Sequence, residues 1–278
     1  MAQRRKEQFS LFRLSLLERR EVSLFAPEET REQFLRRAFG DERVFAHYAN
    51  TFHYVPHPEI DAGGVIMGAI GRQVEAEENL PPRQGLAESV RETWKAAVVA
   101  LDPVDHEDGQ KVAFEIDPKV GGPTPLLASL VASINGEVES RYIIEAGPIL
   151  NKETFWAWVR ASDRTVTDIV LDVPAPNGLF NTNKKMKAEL KTTRETTGAE
   201  TVTIGLHATE GLKTNSESIE DAIDYAQTSG GRIRAKDSEG SSFLSTTSQK
   251  TTTLPDDNSG EGPLIVRAAR LIREVFGR

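Results

Sequence analysis

A predicted β-hairpin lies at residues 232–244, which read Arg232-Ile-Arg-Ala-Lys-Asp-Ser-Glu-Gly-Ser-Ser-Phe-Leu244. Because side chains alternate across a strand, Arg232, Arg234 and Lys236 share one face and the apolar residues between them share the other. The polar run that follows contains a glycine and turns the chain into a second short strand. A strand with three cations in a row is typical of surfaces that contact phosphate groups.

The segments around the hairpin predict a mixture of strands and helices. Upstream we expect strands at 166–173 and 201–206 and helices at 183–195 and 216–228, and downstream a final helix at 263–276. Residues 248–263 are polar and predict a mobile segment. The order lacks a clean βαβ alternation, which favours an α+β fold with mixed, largely antiparallel sheets flanked by helices.

The N-terminal half gives a similar pattern. We expect strands at 9–17, 43–55, 64–72 and 141–146, a hairpin at 92–101 and 111–117, a loop at 77–89, and helices at 27–39, 123–134 and 151–160. The run Pro174-Ala-Pro-Asn-Gly178 ends a strongly apolar strand and predicts a boundary between two α+β regions, 1–173 and 178–278.

Composition limits the class of protein. The chain has no cysteine, which excludes disulfides and thiolate metal sites and fits a reducing compartment. We see no signal peptide and no apolar run long enough to span a membrane, so we expect a cytoplasmic protein.

Charge is distributed unevenly along the chain, whose net charge is −8. Residues 75–117 contain eleven acidic and four basic side chains, a net charge of −7. The simplest interpretation is a solvated acidic surface, and the alternative is a surface that binds a protein partner.

A basic surface is the main candidate site. Lys184, Lys187, Lys191 and Arg194 recur at spacings of three and four, which places them on one stripe of a helix. Together with the strand cations and the hydroxyls of residues 245–248, they would contact a nucleic-acid backbone without reading bases. The alternative is a solvated helix face next to a charged edge strand that resists aggregation.

Two other clusters contain the residue types of a metal site, but the pattern around each favours a different interpretation. Asp117-Pro118-Lys119 matches the letters of a Mg²⁺-dependent nuclease that would also use Asp102 and Asp108, but Pro118 breaks the strand pairing that such a site needs. The His53-Tyr-Val-Pro-His57 run, with Glu59 and Asp61 after it, lies among prolines and cannot form a helical zinc motif. We therefore predict no catalytic residue, no metal and no cofactor.

The C-terminal half resembles a family of phage-defence proteins. The residues that carry the resemblance are Thr167-Asp-Ile-Val-Leu171, the lysine-rich helix at 184–191, Arg232-Ile-Arg-Ala-Lys-Asp237, Gly240 and Phe243-Leu244. In this arrangement the chain is similar to phage-exclusion proteins of the RexA type and to the family of the Kiwa component KwaB. The resemblance implies an oligomeric DNA-binding sensor of anti-phage defence, with Arg232, Arg234 and Lys236 on DNA phosphates.

Three hypotheses follow, in order of preference. The first is a non-enzymatic protein that binds or senses the DNA backbone in anti-phage defence and assembles as a homo-oligomer. The second is a metal-dependent nuclease that uses Asp102, Asp108, Asp117 and Lys119. The third is an interaction module that binds a partner through the acidic 75–117 segment and the helix carrying Trp156 and Trp158.

Overall fold

The computed structural model describes residues 7–19, 28–104, 106, 109–137, 140–161, 165–174, 184–199, 201–245, 249–254 and 263–276. The strands in these ranges are β1 (Gln8–Glu18), β2 (Arg43–His47), β3 (Asn50–Pro56), β4 (Ile66–Asn79), β5 (Glu88–Asp102), β6 (Gln110–Glu115), β7 (Tyr142–Pro148), β8 (Val166–Pro174), β9 (Thr201–His207), β10 (Arg232–Asp237), β11 (Ser242–Leu244) and β12 (Thr251–Thr253). The helices are α1 (Arg31–Ala38), α2 (Pro123–Asn135), α3 (Lys152–Arg160), α4 (Lys184–Thr197), α5 (Glu217–Thr228) and α6 (Leu264–Phe276).

The strands form two antiparallel sheets, which confirms the predicted α+β class. The larger sheet has the order β12-β1-β6-β5-β4-β3-β2, and β7 pairs with the part of β1 that β12 leaves open. The smaller sheet has the order β11-β10-β8-β9. Strand β1 is buried from Phe9 to Leu17 because it lies inside the larger sheet and both of its faces are covered.

Helices cover both faces of the larger sheet. On one face α1 and α2 bury Phe34, Leu126 and Leu130 against Phe12 and the neighbouring strands. Thr30 caps α1, since its hydroxyl accepts from the Gln33 N–H and the Gln33 side chain accepts from the Thr30 N–H. On the other face α6 packs its apolar stripe on the sheet, which buries Ala268, Ile272 and Phe276.

The smaller sheet has one covered face and one open face. Helices α3, α4 and α5 supply Phe155, Leu190 and Ile223 to a core that includes Ile169 and Ile233 of the sheet. The opposite face carries polar side chains, as expected for an antiparallel sheet covered on one side. This asymmetry determines where each charged side chain of the C-terminal half lies.

The sheets do not divide the chain at the expected boundary. Helix α3 and strand β8, both before residue 175, belong to the smaller sheet, whereas β12 and α6 from the end of the chain pack with the larger one. An apolar pattern shows that a segment is buried, but not which sheet buries it. Residues 175–180, where the boundary was expected, lie outside the described ranges.

Strand β12 falls within the segment 248–263 that was expected to be mobile. Within the described ranges, no helix is long and apolar enough to cross a membrane.

Candidate functional site

The three cations of β10 form a row on the open face of the smaller sheet. Arg232, Arg234 and Lys236, hereafter the cation row, are exposed, while Ile233 and Ala235 are buried. This confirms the alternation that the sequence predicted. Ile233 and Ala235 pack in the core of the smaller sheet, and this packing fixes the positions of the three cations on the same strand.

Two carboxylates of the neighbouring strand lie within the same open face. Asp172 Oδ2 accepts from Arg234 Nη2 at 3.0 Å, and β8 sets Asp168 directly opposite Lys236. His207 Nδ1 lies 2.7 Å from Asp168 Oδ1. Hydrogen bonds from Thr167 and His207, with the charge of Lys236, hold the pKa of Asp168 below its usual value. The face is therefore a mixed network of charges, in which Arg234 forms an ion pair with Asp172 and Lys236 lies opposite Asp168.

The lysine-rich helix α4 packs on the other side of the smaller sheet from the cation row. Leu190 places α4 against the core on the covered side of the sheet, whereas the row lies on the open side. The side chains of Lys184, Lys187 and Lys191 lie outside the described part of the chain, and Arg194 is half-buried in the last turn. Leu190 therefore attaches the helix to the face of the sheet opposite to the cation row.

One of the hydroxyls expected near the row, that of Ser245, has another role. Ser245 is buried, and its Oγ accepts from the Ile233 N–H at 2.9 Å. It stabilises the hairpin and does not face solvent. Residues 246–248 lie outside the described ranges.

The acidic residues of the nuclease hypothesis are far apart. Asp102 lies opposite Lys111 at one end of β6, and Asp117 follows the other end, about 20 Å along the strand. Asp102 is fully buried, with its Oδ2 at 2.7 Å from His106 Nε2. Asp117 accepts from the Lys119 N–H in a turn, and Asp108 lies outside the described ranges.

The histidine run is likewise dispersed. His57 Nδ1 lies 2.8 Å from Glu59 Oε1, while the ring of His53 meets Trp94 edge-on at 5.1 Å. Asp61 accepts from the Gly63 N–H. Among the described residues, no group of three or more His, Cys, Asp or Glu side chains could hold a metal ion.

The aromatic helix of the third hypothesis is a core element. Trp156 and Trp158 of α3 are partly buried against the smaller sheet, where Trp156 contacts Phe155 and Trp158 contacts Phe243. Their surface is largely used inside the fold, so α3 offers little apolar area to a partner.

A two-stranded arm, residues 72–95, is the feature that sequence analysis missed. Strands β4 and β5 pair without interruption out to Asn79 and Glu88. Their outer neighbours stop earlier, since β3 pairs with β4 only up to Gly71 and β6 pairs with β5 only from Val99. The arm therefore extends about 25 Å beyond the sheet as a ribbon, and no described strand pairs with either of its outer edges.

The register of the arm collects acidic side chains on one face. Glu75 lies opposite Glu92, Glu77 opposite Val90, and Gln73 opposite Trp94. With Glu88, these residues form what we call the acidic face. Val90 and Trp94 are 61% and 55% exposed there, which is unusual for large apolar side chains. Directly opposed like charges destabilise a strand pair, so the Glu75–Glu92 pair indicates that this face does not serve the stability of the arm.

The opposite face of the arm is different in charge. Arg72, Arg91 and Lys95 lie there with Glu78, and Arg91 Nη1 is 3.9 Å from Glu78 Oε2. The cations of the arm thus do not neutralise its acidic face. The two faces of one ribbon differ in sign as a direct result of the period-two alternation.

Glu115 fixes the root of the arm. At the point where β5 leaves β6, its Oε2 accepts from the Val98 N–H at 2.9 Å. The residue is 8% exposed, and burial raises its pKa to about 7, with smaller contributions from Asp117 and Glu7. Glu7 itself pairs with Arg267 at 2.9 Å.

The raised pKa of Glu115 predicts a pH-dependent stability. The folded protein holds this proton more tightly than the unfolded chain, so the free energy of unfolding falls as pH rises from about 4.5 to about 7. Glu115→Gln removes this dependence while keeping an acceptor for Val98. Urea denaturation across this range is expected to show the wild type losing up to about 3 kcal/mol relative to the variant. Parallel curves for the two proteins would contradict the assignment.

A polar cleft of about 390 Å³ lies where the two sheets meet. Its walls include Glu145, Asp172, Ser229 and Arg232. Because carboxylates and a guanidinium face the same space, the cleft favours neither an anion nor a cation.

No protein-family model matches the chain, and neither the curated proteins nor the solved structures contain a significant match to it. Function is therefore inferred from the geometry of the chain itself.

Proposed function

We propose that this chain is a protein-interaction module that binds a basic partner with the acidic face of its arm. The observation that carries the proposal is the β4–β5 register, which sets four glutamates around exposed Val90 and Trp94. An apolar centre surrounded by charge of one sign is the composition of a binding surface, in which the apolar residues supply affinity and the charges select the partner.

The acidic face also argues against nucleic acid as the ligand of the arm. Glu75, Glu77, Glu88 and Glu92 would repel phosphates, whereas they attract lysine and arginine side chains. A net charge of −8 on the whole chain acts in the same direction.

Site-specific photocross-linking in the cells that produce the chain tests this proposal. A photoreactive amino acid at Val90 is expected to yield one adduct with a basic protein, and the same group at Glu220 on α5 is expected to yield none. Glu88→Lys with Glu92→Lys should abolish the adduct, while Glu217→Lys with Glu220→Lys, a matched reversal on α5, should leave it unchanged. An adduct that forms equally at both sites, or survives the arm reversal, would contradict the proposal.

A second candidate function is binding of a nucleic-acid backbone by the cation row, in the anti-phage setting that the resemblance implies. It is favoured by the exposure of Arg232, Arg234 and Lys236 on one open face. Asp168 and Asp172 weaken it, because each phosphate contact must compete with a carboxylate already in place. A cytoplasmic location and homo-oligomeric assembly belong to this same proposal.

The carboxylates supply a direct test of that candidate. Removing their charge with Asp168→Asn and Asp172→Asn should tighten duplex binding by about tenfold in a gel-shift assay at low salt. Charge reversal of all three row cations to glutamate should abolish it. If neither change alters binding, the cation row is not a nucleic-acid site.

A further inference from the structure

The outer edge of β5 is open along the arm. Alternate residues of an antiparallel strand direct their N–H and C=O groups to opposite edges. The Val98 N–H points to the β6 side, since it donates to Glu115, whereas the Ala87 C=O points to β4, since it accepts from the Leu80 N–H. The even-numbered residues from Glu88 to Ala96 therefore direct their backbone groups outward, and no described strand pairs with them.

The same residues carry the side chains of the acidic face. Along the β5 edge the order is Glu88, Val90, Glu92 and Trp94, which alternates charged and apolar side chains at every second position. The edge of β4, by contrast, carries Gln73, Glu75 and Glu77 and has no exposed apolar side chain. Backbone donors, backbone acceptors and apolar side chains thus coincide on β5.

We propose that the partner adds as an extended strand to the outer edge of β5, with basic and apolar side chains alternating at every second residue. This inference rests on the proposed function of the arm and specifies the form of its partner. Main-chain hydrogen bonds to the open edge would give affinity, and the alternating side chains would give specificity. Cations would lie beside Glu88 and Glu92, and apolar side chains beside Val90 and Trp94.

A second copy of the chain does not fit this edge. If two β5 edges pair so that Val90 meets Val90, Glu88 lies opposite Glu92. If Val90 meets Trp94, Glu92 lies opposite Glu92. Both of these registers therefore oppose like charges, which destabilises the pair. If Trp94 meets Trp94, Val90 lies opposite Val98, whose N–H already donates to Glu115 where β6 begins to pair with β5, so β6 blocks this register. The edge is protected from self-association and is open to a strand of opposite charge.

Peptide binding tests this inference with matched controls. The probe is a fluorescein-labelled eight-residue peptide that alternates lysine and valine at every second position, with threonine between them. In the proposed geometry the lysine and valine N–H groups face the arm and the threonine N–H groups face away. N-methylation of the lysine and valine amides should weaken binding to the full chain by about tenfold or more, and methylation of the threonine amides should leave it unchanged.

Arm variants complete the experiment. Glu88→Lys with Glu92→Lys should abolish fluorescence-anisotropy binding of the unmodified peptide, and Glu217→Lys with Glu220→Lys should retain it. Equal affinity of the two methylated peptides overturns strand addition while leaving the acidic face as a docking surface, provided that binding still requires Glu88 and Glu92. Failure of the unmodified peptide to bind overturns strand addition outright, and cross-linking at Val90 then decides independently whether the arm has a partner.

Discussion

Replacement of Phe155 by alanine is expected to lower the free energy of unfolding by about 4 kcal/mol. The ring is fully buried and lies at the centre of an aromatic cluster, 5.0 Å from Trp156, 6.3 Å from Trp158 and 5.3 Å from Phe243 between ring centroids. Its removal leaves a cavity between α3 and the smaller sheet, and the neighbouring rings lose their contacts.

Urea denaturation followed by far-UV circular dichroism measures this effect. Trp94→Ala is the matched control, since it removes a larger aromatic side chain that is 55% exposed on the arm, and it should cost less than about 1 kcal/mol. A similar loss for both variants would mean that α3 is not the central support of the smaller sheet.

The second large effect is expected at the junction of the sheets. A Cβ atom at Gly147 would lie 2.5 Å from the Gly230 carbonyl oxygen and 2.8 Å from its Cα, so no flexible side chain can yield to it. Gly147→Val should therefore destabilise the protein by about 3 kcal/mol by forcing β7 away from the loop after α5.

Gly205 provides the control for this substitution. It also lies in a strand, but a Cβ atom there would meet nothing within 4 Å. Gly205→Ala should leave the urea midpoint nearly unchanged. If Gly147→Val is equally mild, the sheets do not depend on this backbone contact for their arrangement.

Much of the fold was predictable from local patterns. The apolar run of β8, the amphipathic period of α5 and the alternation of β10 each identified the element correctly, because each buries one face against a core. Gly68 lies in the strand that was expected at 64–72, and a Cβ atom there would lie 2.6 Å from the Tyr54 ring.

The arm was missed because it buries almost nothing. Residues 77–89 were expected to form a loop, since glutamates, Asn79 and two prolines carry no apolar period. In the structure β4 continues to Asn79 and β5 begins at Glu88, so the loop is confined to residues 80–87 around the turn at Pro82–Gln84. Apolar patterns identify strands that face a core, and they do not identify a ribbon in which no side chain is fully buried.

The basic site was only half predictable. Period-two alternation placed the cation row correctly on one face, but it contained no information about Asp168 and Asp172 on the neighbouring strand. The position of α4 depended on which side of the sheet Leu190 joins, a choice made by tertiary packing. Residue spacing correctly predicted which side chains share a face of one element. It did not predict which elements lie next to each other.

Residue-resolved amide hydrogen exchange tests the central claim most directly. In the free protein the N–H groups of Val90, Glu92 and Trp94 should exchange rapidly, and those of Arg91 and Thr93 should be protected by bonds to β4. Saturation with the lysine–valine peptide should slow exchange at Val90, Glu92 and Trp94 and leave the odd-numbered amides unchanged. Equal protection of odd and even amides in the free arm, or no slowing when the peptide binds, would contradict an open β5 edge that receives a partner strand.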